Sequence, residues 1–127
     1  MTTRHDRHYT LDEARAELPW VRQQLAALRS ARDRLTDAQA HDALTEHSPT
    51  NGGGEPGRQV GEAFVALQAG AKAFDDRGIV LRDLDRGLID FPAIRDGREV
   101  YLCWIDGEPE IGFWHDLDAG YAGRQPL

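Results

Sequence analysis

The chain has very little cysteine: Cys103 is the single one in 127 residues. A lone thiol cannot close an internal disulfide, and every zinc or redox motif built on paired cysteines is excluded. Basic residues are also scarce. Fifteen Lys and Arg stand against 22 Asp and Glu, a formal charge of −7, so there is no stripe to neutralise phosphates, and neither nucleic acid nor an anionic membrane is an expected partner. Apolar runs are short, none approaching the roughly 20 residues of a membrane span, and the polar opening Met1–Thr10 does not have the form of a signal peptide. A cytoplasmic location is the expectation. Phosphate-binding glycine loops, nucleophile elbows and closed metal quartets are missing as well.

What is present suits one domain over 1–127, a length that can bury about two-thirds of its unfolded surface. After a flexible tail over 1–9, Thr10 and Glu13 have capping-box spacing and start a helical region over 10–45. Its apolar positions, Leu11, Ala14, Leu18, Val21, Leu25, Leu28 and Leu35, alternate three and four apart, with Arg32 interrupting the seam. Pro19 lacks an amide hydrogen and crowds the preceding turn, so the expectation is a kink or break there, giving a short helix and then a long one.

Residues 46–57, with three successive glycines and two prolines, read as a mobile loop. A second helix over 58–77 follows, marked by Val60, Ala63, Phe64, Leu67, Ala71 and Phe74 and closed by Gly78. Because it is shorter than the first, part of the leucine seam is expected to lack a partner within the chain and to find a second copy, as in a homodimer.

From Ile79 the period changes to two. Strands over 79–84, 88–94, 98–105 and 110–115 are separated by Asp85-Arg86-Gly87, Asp96-Gly97 and Asp106-Gly107. Helices first and strands afterwards imply an α+β fold, an antiparallel helical hairpin packed on a four-stranded antiparallel meander, with a tail over 116–127.

Several segments carry a resemblance: Tyr9-Thr10-Leu11-Asp12-Glu13-Ala14, Arg82-Asp83-Leu84, Gly87-Leu88-Ile89-Asp90-Phe91-Pro92, Leu102-Cys103-Trp104, Trp114-His115 and Gly123-Arg124-Gln125-Pro126. The pattern is similar to that of small bacterial proteins grouped as domain of unknown function 2203, and it covers nearly the whole chain. The resemblance implies no activity, cofactor or substrate. It does imply that these polar residues belong to a shared pattern.

Register decides which of them can meet. With Asp96-Gly97 as a two-residue turn, Phe91 pairs with Leu102, Ile89 with Trp104 and Asp90 with Cys103. With Asp106-Gly107 treated alike, Cys103 faces Glu110, Val100 faces Phe113 and His115 lies opposite Arg98. Ile89, Phe91, Val100, Leu102, Trp104, Ile111 and Phe113 then form the face that the hairpin covers. Asp90, Tyr101, Cys103, Glu110 and Trp114 form the other.

In that register Cys103 and His115 are on opposite faces, too far apart to share an ion at about 3.3 Å per residue. An Asp90–Cys103–Glu110 group has the facing but one soft ligand, and no metal is assigned. Cys103 reads as a buried apolar residue, and Arg98 and Arg124 as partners of Asp90, Glu108 or Asp116 in ion pairs. His5, His8, His41 and His47 read as solvated.

Two classes of function follow. The first is a non-catalytic interaction module that binds a protein or small ligand through Tyr101, Cys103, Glu110, Trp114, Tyr121 and Arg124. The second is a small enzyme on an anionic substrate, with His115 as acid or base, Arg98 and Arg124 as an anion clamp, and Asp90 orienting one of them. A metal protein using Cys103 with carboxylates or with His115 stands behind both.

Overall fold

A computed structural model describes residues 2–44 and 55–127, with side chains over 2–41 and 57–127. Helix α1 spans Leu11–Leu44 and helix α2 Glu55–Asp76. Five antiparallel strands follow in the order of the chain: β1 Val80–Asp83, β2 Leu88–Arg95, β3 Arg98–Ile105, β4 Phe113–Asp116 and β5 Gln125–Pro126. This is the expected α+β arrangement, a helical hairpin on a meander, with one strand more than the sequence reading supplied. No helix among the described residues is long and apolar enough to cross a membrane.

The capping box forms as its spacing implies. Glu13 Oε1 accepts the Thr10 amide at 2.8 Å, and Thr10 Oγ1 accepts the Glu13 amide at 3.1 Å, satisfying two of the donors left over at a helix start. Pro19 does not break the helix, which runs through it to Leu44. Its ring is on the exposed side, while Leu18 and Val21 on either side are buried, so burial of the flanking apolar positions outweighs the lost hydrogen bond.

The expected loop over 46–57 divides in two. Positions 46–54 are outside the described residues, and 55–57 belong to α2. The inward stripe of α2 is Ala63 and Phe74, both buried, with Leu67 and Gly70 half-buried. Phe64, read as part of it, is 52% exposed, and Ala71 is also exposed. A Cβ at Gly70 would stand 2.4 Å from Leu28 Cδ2, so the missing side chain is what lets the helices approach. Leu25, Leu28 and Ala38 of α1 are buried and Leu35 is half-buried. The unpartnered leucine seam, from which a homodimer was expected, is therefore not found among the described residues. At the far end of α2, Gly78 has φ 68° and the Ile79 amide donates to the Phe74 carbonyl at 3.0 Å, the wrap that a glycine after a helix permits.

Ala14, Leu18, Val21, Leu25, Leu28 and Phe74 pack on Ile89, Phe91, Ala93, Val100, Leu102 and Trp104 of the sheet. The β2–β3 register is the expected one throughout, from Arg95 opposite Arg98 to Leu88 opposite Ile105. The β3–β4 register is not. Cys103 pairs with Phe113, not with Glu110, a slip of three residues, and Tyr101 pairs with His115. Because side chains alternate, an odd slip turns every residue of a strand to the other face. Trp114 joins the core, and Phe113 and His115 face outward beside Cys103.

The cause lies in residues 105–112. The Glu108 amide donates to the Ile105 carbonyl at 3.0 Å, Glu108 Oε1 accepts the Ile105 amide at 2.8 Å, and Trp104 Nε1 donates to the Glu108 carbonyl at 3.0 Å. Glu108 thus occupies the edge where a hairpin partner would sit. Pro109, which has no amide to offer, follows it.

Both ends of the chain are tied to the sheet. The tail expected over 116–127 forms one 3-10 turn over Tyr121–Gly123 and then β5, which pairs with β4. Of the tail expected to be flexible over 1–9, residues 4–9 lie on the sheet: Tyr9 donates its amide to the Pro92 carbonyl at 2.7 Å and its hydroxyl to the Arg77 carbonyl.

Candidate metal centre

Asp90 is on β2, Cys103 directly opposite on β3, and His115 on β4. All three point to the face away from the helices, and their exposures are 2%, 0% and 1%. Among the described residues they form a group in which one carboxylate oxygen, the thiol sulfur and one imidazole nitrogen all lie within 4.8 Å of one another. Donors bound at 2.0–2.3 Å to one tetrahedral ion stand roughly 3.3–3.8 Å apart, so shifts of up to about 1 Å would bring these three onto one ion.

The hydrogen bonds around His115 define its role. Nδ1 lies 2.7 Å from the Asp116 carbonyl oxygen, which can only accept, so Nδ1 carries the proton. Nε2 lies 3.0 Å from Asp90 Oδ1. At that separation Nε2 and Oδ1 share a hydrogen bond, and an ion held by both would take the place of its proton with the two atoms a few tenths of an ångström further apart. Donation from one nitrogen to a backbone carbonyl is the arrangement that orients a metal-binding histidine. On its other side Asp90 Oδ2 accepts Arg82 Nε at 3.0 Å.

The Cys103 thiol is pushed up to about 12, first by burial and then by the charge of Asp90, with Arg124 opposing. Such a thiol stays protonated and is a poor nucleophile. A cation held there would reverse that balance and take it as thiolate. Arg124 stacks 4.0 Å over the Phe113 ring, and its Nη2 donates to Glu108 Oε1 at 2.6 Å and to the Cys103 carbonyl at 3.3 Å.

The remaining residues singled out in the sequence are dispersed. Arg98 is exposed and pairs with Asp116 at 3.0 Å, away from Asp90. Glu110 is outside the strands, exposed, and 3.7 Å from Arg15. Arg124 pairs with Glu108 as expected and stacks on Phe113 of the outer face, whereas Arg98 lies by Trp114 on the other, so the two do not converge as an anion clamp. Tyr101 and Trp114 are 2% and 7% exposed, and they offer no flat docking patch. Tyr121 borders a cleft above Asp90 and His115. Sequence reasoning passed over Arg82, which holds Asp90, and the segment that covers Tyr101. Their signal is weak: Arg82 is eight residues from its partner, and the covering segment meets β3 across more than ninety positions.

That segment is fastened by Glu99, itself 9% exposed. Its carboxylate accepts the Arg4 amide at 2.7 Å, the His5 amide at 3.0 Å and a His8 ring contact at 2.7 Å. His5 Nε2 then meets the Tyr101 hydroxyl at 2.6 Å, so neither His5 nor His8 is simply solvated. Burial raises the Glu99 carboxyl, but the Arg4 amide, His8 and the His5 amide outweigh it and hold the group down to about 2, against 4.5 for an ordinary glutamate. A depressed carboxyl contributes stability that is complete above its unfolded value and is lost as pH falls through the folded one. The segment is expected to stay docked at pH 5 and above and to release between about pH 4.5 and 2. Amide hydrogen exchange of residues 4–9 across that range measures it, and Glu99→Gln should release the segment at neutral pH.

A family model described as "Uncharacterized conserved protein (DUF2203)" matches residues 7–127. Comparison with curated proteins and with solved structures returns no match. The chain belongs to the DUF2203 family.

Proposed function

We propose that this DUF2203 protein binds a divalent metal ion of the zinc class through Asp90, Cys103 and His115. The observation that carries the reading is the convergence of one oxygen, one sulfur and one nitrogen donor, all buried, on the outer sheet face. The donor set suits zinc or cobalt better than magnesium or calcium, which take oxygen ligands. The His115–Asp116 hydrogen bond and the Arg82–Asp90 pair supply the outer shell that such ligands need. Three protein ligands leave a coordination position open, as in catalytic rather than structural zinc sites.

Purified protein reconstituted with cobalt(II) is expected to bind one ion per chain, with the visible bands of a tetrahedral site and a thiolate-to-cobalt charge-transfer band in the near ultraviolet. Cys103→Ser should abolish the charge-transfer band and weaken binding at least tenfold. Failure of the wild-type protein to take up cobalt or zinc sinks the proposal.

A second reading, acid–base catalysis without a metal, rests on the 3.0 Å pair of His115 and Asp90 at the floor of a cleft. The binding-module reading has less support, because the outer face is largely covered by the chain's own ends.

A further inference from the structure

Above the three donors lies a cleft of about 340 Å³, bordered by Asp90 and His115 and by Arg4, Arg82, Leu117 and Tyr121. Resting on the metal reading, we infer that the fourth ligand of the ion is a small organic anion, carboxylate or phosphate, seated in this cleft and held by Arg4 and Arg82.

The geometry gives the open position its direction. Cys103 is wholly buried and does not border the cleft, whereas Asp90 and His115 do. An ion bound by all three is packed by protein on the sulfur side and faces the cleft on the other.

Charge gives the ligand its sign. Arg82 is matched by Asp90, Arg4 by Asp118 at 3.1 Å, and Arg124 by Glu108. Without a metal these charges cancel in pairs. A divalent ion brings two positive charges against the single negative charge of the Cys103 thiolate, leaving one in excess at a buried floor, and an anion entering the cleft neutralises it.

Donors are available to hold that anion. A guanidinium has five N–H groups. Arg82 gives its Nε to Asp90 and Arg4 one Nη to Asp118, both also meet the Tyr101 hydroxyl, and both side chains remain partly exposed, at 41% and 50%. Carboxylates and phosphates both match the guanidinium fork. Leu88, Leu117 and the Tyr121 ring supply walls for an apolar body.

Arg4 is held over the cleft by Glu99, whose carboxylate accepts the Arg4 amide. This gives the amino-terminal segment a reason to be fastened so firmly: it carries one jaw of the anion site.

The test uses the full chain loaded with cobalt(II). Inorganic phosphate and, separately, acetate are titrated at constant ionic strength set with perchlorate, and the visible bands are followed. At least one of the two should shift the bands saturably, and the one that binds tells phosphate from carboxylate. Arg4→Gln should weaken that anion about tenfold, the loss of one charge-assisted contact, with cobalt stoichiometry and the thiolate band unchanged. Bands indifferent to both anions, or equal affinity in Arg4→Gln, overturn the inference and leave the metal reading standing. A sample without the thiolate band overturns both.

Discussion

Zinc is expected to raise the thermal midpoint of the wild-type protein by on the order of 10 °C, and to leave His115→Ala where it was. Ligand that binds only the folded state at a hundredfold excess over its dissociation constant stabilises by about 2.7 kcal/mol. For a domain of this size each kcal/mol moves the midpoint by roughly 3–5 °C. His115 supplies the nitrogen whose orientation is fixed by the Asp116 carbonyl, and an alanine there leaves two donors, too few to hold the ion. The variant has a further consequence. Asp90, 2% exposed, loses the imidazole and keeps Arg82 and the Cys103 thiol. The metal-free variant should therefore melt below the metal-free wild type, since a buried carboxylate that loses a hydrogen-bond partner costs about 1–3 kcal/mol. Differential scanning calorimetry with and without zinc separates the two effects. A wild-type midpoint that zinc does not move contradicts the assignment.

The second large effect is expected at Trp104. It is the largest fully buried side chain, and its indole nitrogen holds the Glu108 carbonyl. Trp104→Ala should cost about 3–5 kcal/mol in urea unfolding, a large share of the 5–15 kcal/mol that a domain of this kind possesses. It should also weaken metal binding, although Trp104 faces the core and touches no ligand. The reason is that Glu108 holds the connection that sets β4 against β3, and β4 carries His115. Trp104→Phe, which keeps most of the apolar volume and loses only the hydrogen bond, should unfold more readily by about 1–2 kcal/mol. Unfolding free energies equal to wild type in both variants would show that this connection is held by something else.

Two dipeptides of the same type explain where the fold was legible and where it was not. Asp96-Gly97 and Asp106-Gly107 both read as two-residue hairpin turns. At the first, Asp96 and Gly97 have φ of 52° and 76°, the paired positive values of a tight hairpin turn, and every pairing from Arg95 opposite Arg98 to Leu88 opposite Ile105 follows. At the second, Gly107 has a positive φ and Asp106 does not. A chain bend of another kind forms there, completed by the Glu108 side chain and followed by Pro109. The available warning was Pro109, whose missing amide weakens any strand that starts beside it. Treating the two dipeptides alike placed Phe113 in the core in place of Trp114, and His115 opposite Arg98 in place of Tyr101.

That single slip hid the site. Asp90 opposite Cys103 was legible because it depends on the first turn alone. The third donor depended on the second turn, and an odd slip moved it to the wrong face. The capping box, the α1 seam and the glycine after α2 were legible because they are local or periodic. The docking of residues 4–9 on Glu99, and of residues 125–126 on β4, has no such signature. These are long-range bonds to backbone amides, and only the folded sheet brings their partners together.

The account stands on Cys103 and His115 sharing one face and one ion. Zinc K-edge X-ray absorption on the reconstituted full chain measures this most directly. The expected first shell holds one sulfur at about 2.3 Å with nitrogen and oxygen neighbours at about 2.0–2.1 Å, and the sulfur is lost in Cys103→Ser while an imidazole contribution is lost in His115→Ala. A shell of nitrogen and oxygen only, unchanged by either substitution, would contradict it.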